Sequence, residues 1–239
     1  MEDGFNISLQ ENVFASPEEI FEKLEREIVY LPEELSRINI KNKSYPISRK
    51  IAAFGEPGLS YTFSGLTLTS QPWPSLLLEI KVLIENLLGI SFNFVLINRY
   101  EDGNACIGQH KDDESDLEEN YPICSLSFGE TRTMVFKRSG FPDKRIQLKS
   151  NSLLVMNTPT IKLWSHGIPK QSKRSGVRID LTFRMMKPTI ANDVTSNKRK
   201  HVENEEGLKK KKEVKRMVSS AFFLYVLNNV NFFLYSQIL

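Results

Sequence analysis

The chain has 239 residues, 40% hydrophobic and 26% charged. It is long enough to bury a sizeable core and too apolar for wholesale disorder. Its two cysteines, Cys106 and Cys124, exclude a disulfide scaffold or a cysteine-rich zinc module. The formal net charge of +3 is uneven: residues 198–216 hold nine Lys/Arg against four acids, a net of +5 that leaves −2 for the rest. A uniformly basic nucleic-acid binder is therefore excluded, and any basic groove is local.

Residues 1–15 are polar without periodicity and are expected to be disordered. They show no basic n-region and no apolar h-region, so no secretory signal is expected and cytosol or nucleus is the default. Ser16-Pro17-Glu18-Glu19 opens a helix, with Ser16 as cap and Glu19 completing a capping box. Ile20, Phe21, Leu24, Ile28 and Leu31 follow at helical spacing. A second helix is predicted from near Pro74, with Leu77, Ile80, Leu83, Ile84 and Leu87 as its apolar face and Gly89 as its stop. Short strands rich in β-branched and aromatic residues then dominate: 92–100, 123–128, 131–137, 145–148, 152–156 and 177–185. Helices followed by many short strands give an α+β class with an antiparallel sandwich or barrel as core.

The folded region is expected to span 16–188, followed by a basic linker or tail, 189–217. In that tail, Lys198-Arg199-Lys200 and the cluster 209–216 read as a bipartite nuclear localisation signal. Residues 218–239 turn hydrophobic. Asn228, Asn229 and Asn231 interrupt this segment, so it reads as an extension rather than a membrane anchor, and membrane association is not expected.

Only His110 and His166 belong to the folded region; the third histidine, His201, lies in the basic tail. His110 and Asp112 are two apart, so on an extended segment both project to one side. Two histidines and a carboxylate can take one face of an octahedral iron, or form a zinc site. Fe(II) oxygenases of this ligand type use 2-oxoglutarate, whose distal carboxylate needs a cation. The last strand supplies one: Arg178, Asp180, Thr182 and Arg184 share a face by period two, while Leu181 and Phe183 face the other way. Inward arginines require anionic partners.

The segments 54–66 (FGEPGLSYTFSGL), 92–103 (FNFVLINRYEDG), 107–114 (IGQHKDDE), 125–129 (SLSFG), the His166 strand and 177–184 (VRIDLTFR) together resemble the AlkB family of Fe(II)- and 2-oxoglutarate-dependent dioxygenases. They are most similar to the branch that repairs alkylated bases in double-stranded DNA. The resemblance covers roughly residues 45–186. It implies a double-stranded β-helix, jelly-roll-like core with the N-terminal helices packed on one sheet. It implies His110, Asp112 and His166 as iron ligands, and Asn98, Tyr100, Arg178, Thr182 and Arg184 as the 2-oxoglutarate site. Tyr61, Phe63, Ser64, Asp113 and Glu114 match the family's damaged-base pocket; an aromatic pair can sandwich a flipped base, and carboxylates can contact an exocyclic amine or a cationic ring.

The implied function is direct-reversal repair of DNA damage: oxidative demethylation of 1-methyladenine or 3-methylcytosine with dioxygen, releasing formaldehyde and succinate. An RNA demethylase on the same core and a non-catalytic nucleic-acid-binding adaptor are the alternatives. Two positions depart from the family. Asp180 stands where it usually has Asn. Lys41, in the loop 38–43, stands where the duplex-acting branch has an aromatic wedge, with Ile40 and Tyr45 as possible substitutes. Lys41, Lys43, Arg49 and Lys50 form a small basic cluster suited to phosphates.

Overall fold

The computed structural model describes residues 3–187. The expected domain end at 188, the basic run and the hydrophobic segment 218–239 lie outside the described residues. The elements in chain order are β1 (Ile7–Glu11), α1 (Pro17–Glu27), β2 (Arg37–Ile40), β3 (Lys43–Pro46), β4 (Lys50–Gly55), β5 (Ser60–Phe63), β6 (Leu66–Thr69), α2 (Ser75–Leu88), β7 (Phe94–Tyr100), β8 (Ile107–His110), β9 (Ile123–Gly129), β10 (Arg132–Lys137), β11 (Lys144–Leu148), β12 (Ser152–Met156), α3 (Thr160–Leu163), β13 (Ser165–Ile168) and β14 (Arg178–Arg184). The chain divides into two units: 74–90, which holds α2, belongs to one, and the remaining described residues belong to the other.

In the larger unit a six-stranded antiparallel sheet, β1-β12-β9-β14-β7-β4, faces a four-stranded sheet, β11-β10-β13-β8. The core between them joins Leu96, Tyr100, Leu154 and Met156 of the larger sheet to Met134, Phe136 and Ile168 of the smaller. This is the expected jelly-roll. The strands β7, β9, β10, β11, β12 and β14 lie where the alternating apolar segments place them, within two residues at each end.

The helix α1 lies on the outer face of the larger sheet. Leu24 is fully buried, and Glu25 accepts hydrogen bonds from Arg99 of β7 at 2.7 and 2.9 Å. Gly129, at φ 83, ends β9 beneath Phe21; a Cβ there would stand 2.8 Å from the Phe21 ring and 2.2 Å from the Val177 carbonyl oxygen. The expected capping box does not form, because the Ser16 side chain makes no cap hydrogen bond. The helix also ends earlier than the apolar spacing suggests. Ile28 is already extended, and the Leu31 N–H donates to Ile51 of β4 at 2.8 Å, so sheet pairing claims the segment. The helix α2 starts after Pro74 and stops at Gly89, which is left-handed at φ 69, as predicted.

Residues 1–15 correct the expectation of disorder: Ile7–Glu11 pairs along its whole length with β12. As an edge strand it has a partner on one side only, and four of its five residues are exposed, which removes the apolar alternation that marks inner strands. The loop expected at 38–43 is the tip of the β2–β3 hairpin. Lys41 and Asn42, at φ 48 and 62, form its two-residue turn. The β5–β6 hairpin has the same construction around Ser64 and Gly65.

Candidate metal centre and cofactor cavity

The strand β13 is bonded to β8, and their register sets His166 directly opposite His110. The close approach depends on Gly167, where a Cβ would lie 2.8 Å from the Gly108 carbonyl oxygen. The two imidazole centroids are consequently 4.4 Å apart. Asp112 follows two residues after His110 and turns back towards the pair, with Oδ2 3.3 Å from His166 Nε2. One ligand atom from each of the three lies within 4.8 Å of the others, and among the described residues no other such group of His, Cys, Asp and Glu occurs.

The protonation states suit a cation. Burial, and then the neighbouring His166, push the His110 imidazole down to about 4, so it is neutral at physiological pH and its lone pair is free. Its Nδ1 is 2.9 Å from the Gly108 carbonyl oxygen, which leaves Nε2 as the free ring nitrogen. Burial alone would raise the Asp112 carboxyl. Arg184 and the two histidines outweigh it and hold the group well below the usual carboxylate range. Arg184 Nη2 donates to Asp112 Oδ1 at 2.9 Å, while the buried Oδ2 has no hydrogen-bond partner among the described residues. A carboxylate with one oxygen anchored and the other presented towards two imidazoles fits a divalent cation.

The triad opens into a cavity of about 790 Å³, within the size range of ligand sites. Its floor is the inner face of β14 and its neighbours. Asp180 pairs with Asn98 and Ser127, and Thr182 with Leu96 and Ser125. Asn98, Tyr100, Thr182 and Arg184 all line the cavity, and Asp180 and Ser125 line it with them. Arg178 does not. It is fully buried, its guanidinium 5.2 Å from the Tyr100 ring centroid and its Nη2 2.9 Å from Asp180 Oδ1. Nε and Nη1 of both Arg178 and Arg184 lack partners among the described residues. Four buried, unmatched guanidinium donors are costly unless an anion enters, and a dicarboxylate fits that need.

The expected base-pocket residues lie at the cavity mouth. The Tyr61 hydroxyl donates to Glu114 Oε1 at 2.8 Å, and Glu114 Oε2 remains buried without a partner among the described residues. Burial and the nearby Asp112 raise the Glu114 carboxyl. Asp113 is exposed, and Ser64 sits at the hairpin turn. The sandwich reading of Tyr61 and Phe63 is corrected. Their centroids are 5.4 Å apart and tilted by 33°, so the rings pack on each other, whereas a base between them needs about 7 Å, two stacking steps of roughly 3.4 Å. They form one wall.

Arg49 is a second correction. It does not join Lys41 and Lys43 as an outward basic cluster but lines the cavity, with Nε donating to Asn98 Oδ1 at 2.6 Å. Burial lowers its pKa. The sequence carried no signal for this, because Arg49 sits among basic neighbours just before β4. Arg132, also unremarked in the sequence, is buried and donates to the Asp102, Ala105 and Pro169 carbonyl oxygens, tying loops beside Tyr100 together.

The sequence matches the family model described as the 2OG-Fe(II) oxygenase superfamily over residues 15–184. It is 43% identical over 184 residues to the DNA oxidative demethylase ALKBH2 of Bos taurus, covering 73% of this chain and 66% of that protein. The Homo sapiens ALKBH2 is 43% identical over 179 residues, 71% of this chain and 69% of that protein. The chain thus spans about two thirds of the length of these two relatives. The alpha-ketoglutarate-dependent dioxygenase alkB homolog 3 of Rattus norvegicus is 35% identical over 156 residues, 61% of this chain and 52% of that protein. A solved structure of OsALKBH1 matches with a TM-score of 0.51 at 17% identity, covering 75% of this chain and 97% of that one, a likeness of fold. With a family match across well over half of its length and relatives of this identity, the chain belongs to the 2OG-Fe(II) oxygenase superfamily and, within it, to the AlkB family.

Proposed function

We propose that this protein is a DNA oxidative demethylase that uses Fe(II), 2-oxoglutarate and dioxygen to remove methyl groups from nitrogens of damaged bases. The observation that carries the reading is the convergence of His110, Asp112 and His166 beside a cavity that also presents unmatched arginine donors. His110, Asp112 and His166 would hold the iron, with Arg184 fixing the orientation of Asp112. Asn98, Tyr100, Thr182 and Arg184, which line the cavity, would hold 2-oxoglutarate, and Arg178, paired with Asp180, adds positive charge behind them. Together, bound iron and 2-oxoglutarate supply an oxidation that hydroxylates the N-methyl carbon, with formaldehyde and succinate as products. The protein's residues orient the base: Tyr61 and Phe63 provide a stacking wall, and the free Glu114 oxygen can accept from an exocyclic amine or face a cationic methylated ring. A non-catalytic adaptor would have no use for buried orphan donors beside an intact ligand triad. The DNA assignment follows from the ALKBH2 relatives. The bipartite basic run at 198–216 supports a nuclear location.

The hairpin that overhangs the cavity bears on strand preference. Ile38, Ile40 and Tyr45 line the cavity mouth, with Ile40 and Tyr45 about half exposed, and Lys41 occupies the turn. A lysine at the tip offers less apolar surface to fill the gap left by a flipped base than an aromatic would. Flipping costs a few kcal/mol in duplex and little in a single strand. Single-stranded oligonucleotides carrying 1-methyladenine or 3-methylcytosine are therefore expected to turn over at least as fast as matched duplexes. Lys41→Phe is expected to raise the duplex-to-single-strand rate ratio by about tenfold, the equivalent of roughly 1.4 kcal/mol. Equal losses on both substrates with a flattened salt dependence would assign Lys41 to a phosphate instead. A strong native preference for duplex would assign the wedge to Ile40 or Tyr45. No turnover on either substrate or on the RNA equivalent would remove the demethylase reading.

A further inference from the structure

Arg184 and Arg178 each carry a carboxylate supplied by the protein, but the two pairs differ. The partner of Arg184 is Asp112, whose charge also serves the cation site. The partner of Arg178 is Asp180, which lines the cavity together with Arg49 and also acts electrostatically on that guanidinium. Asp180 Oδ1 accepts from Arg178 Nη2 at 2.9 Å and from Ser125 Oγ, and Oδ2 accepts from Thr182 Oγ1 at 2.7 Å. Arg178 Nη2 donates also to Ser127 Oγ at 2.9 Å. Both side chains are buried, and Asp180 lines the cavity while Arg178 does not. Three donors hold the carboxylate in place, so it cannot swing away when a ligand enters.

We infer that Asp180 is a built-in anion at the Arg178 site, which competes with the distal carboxylate of 2-oxoglutarate and sets how tightly the co-substrate binds. The inference rests on the reading of this cavity as the 2-oxoglutarate site. Asp180 lines the cavity and Arg178 does not, so a dicarboxylate drawn towards that guanidinium meets Asp180 first and lies beside a like charge in a buried site. At Arg184 the charge of Asp112 is shared with the cation site, so the opposition to the proximal end of the co-substrate is weaker there. Asp180 therefore acts on the distal carboxylate alone. Turnover would then track 2-oxoglutarate concentration over a higher range than an unmasked arginine would allow.

Asp180→Asn tests this with little change of shape. The amide oxygen still accepts from Arg178 and Ser125, and the Thr182 hydroxyl turns to accept from the amide nitrogen. Dissociation constants are measured calorimetrically on the Fe(II)-loaded protein under argon, for 2-oxoglutarate and for 2-oxobutyrate, which lacks the distal carboxylate. The expected result is a dissociation constant for 2-oxoglutarate lower by about tenfold or more in the variant, since charged hydrogen bonds differ from neutral ones by that order. The value for 2-oxobutyrate stays within about twofold. Unchanged or weaker 2-oxoglutarate binding by the variant, or equal tightening for both ligands, would overturn the inference while leaving the co-substrate assignment intact. No 2-oxoglutarate binding by either protein would overturn both. The native protein gives an independent check: it should prefer 2-oxoglutarate over 2-oxobutyrate by less than about tenfold, and a preference above about 100-fold would overturn the masking of Arg178.

Discussion

Replacing His110 with Ala is expected to lower the rate of demethylation by more than about 100-fold, since even changes to groups that merely support metal ligands cost 10–100-fold. The fold survives. His110 ends β8 at the cavity edge, and its one hydrogen bond runs to a carbonyl two residues away. The depressed imidazole, at about 4, opposes folding only below about pH 6.5, so the thermal stability of the metal-free variant is expected to change little at neutral pH and to exceed that of the native protein in mild acid. Paired measurements of turnover and of Fe(II) binding by the variant check the assignment. Full activity, or unchanged iron affinity, would remove His110 from the metal site.

Arg178→Ala has its largest effect on stability. The substitution strands the Asp180 carboxylate in the core with only the Ser125 and Thr182 hydroxyls as donors. Breaking a buried ion pair from one side costs about 3–5 kcal/mol. In a domain of this size that lowers the melting temperature by roughly 10 °C. Removing both charges, as Arg178→Met with Asp180→Asn, should recover at least about half of the loss, because no isolated charge remains. A single variant as stable as the native protein would show that water or a rearranged side chain already neutralises Asp180.

The inner strands were legible because both of their faces are constrained. The alternation of Arg178, Asp180, Thr182 and Arg184 with Ile179, Leu181 and Phe183 separates a polar face from an apolar one, and β14 is buried along its whole length. The metal triad was legible for a simpler reason: the folded region holds only two histidines. Their register was not. It depends on Gly167 admitting β8 and on β10 pairing His166 with Phe136, contacts between segments far apart in sequence.

Several elements that escaped notice have neighbours on one side only. The edge strand β1 exposes nearly every side chain, and β2 and β3 carry Lys41-Asn42 at their turn in place of the Asn-Gly pair that marks such hairpins. Arg49 read as one of four basic residues, and only the path of the chain into β4 turns it inward to Asn98. Periodicity set Asp180 beside Arg178 on one face, but its satisfaction by Ser125 is a contact with the neighbouring strand β9, far away in sequence. That contact helps to make a buried carboxylate tenable beside Arg178.

The most direct test of the central claim is a product balance. A single-stranded oligonucleotide with one 1-methyladenine is incubated with the protein, Fe(II), 2-oxoglutarate and dioxygen, and restored adenine, formaldehyde and succinate are quantified together. The account predicts adenine and formaldehyde in equal amounts, at least as much succinate, and loss of all three without iron or in His110→Ala. Oligonucleotide binding with none of these products, or succinate formed while the methylated base stays intact, would contradict it.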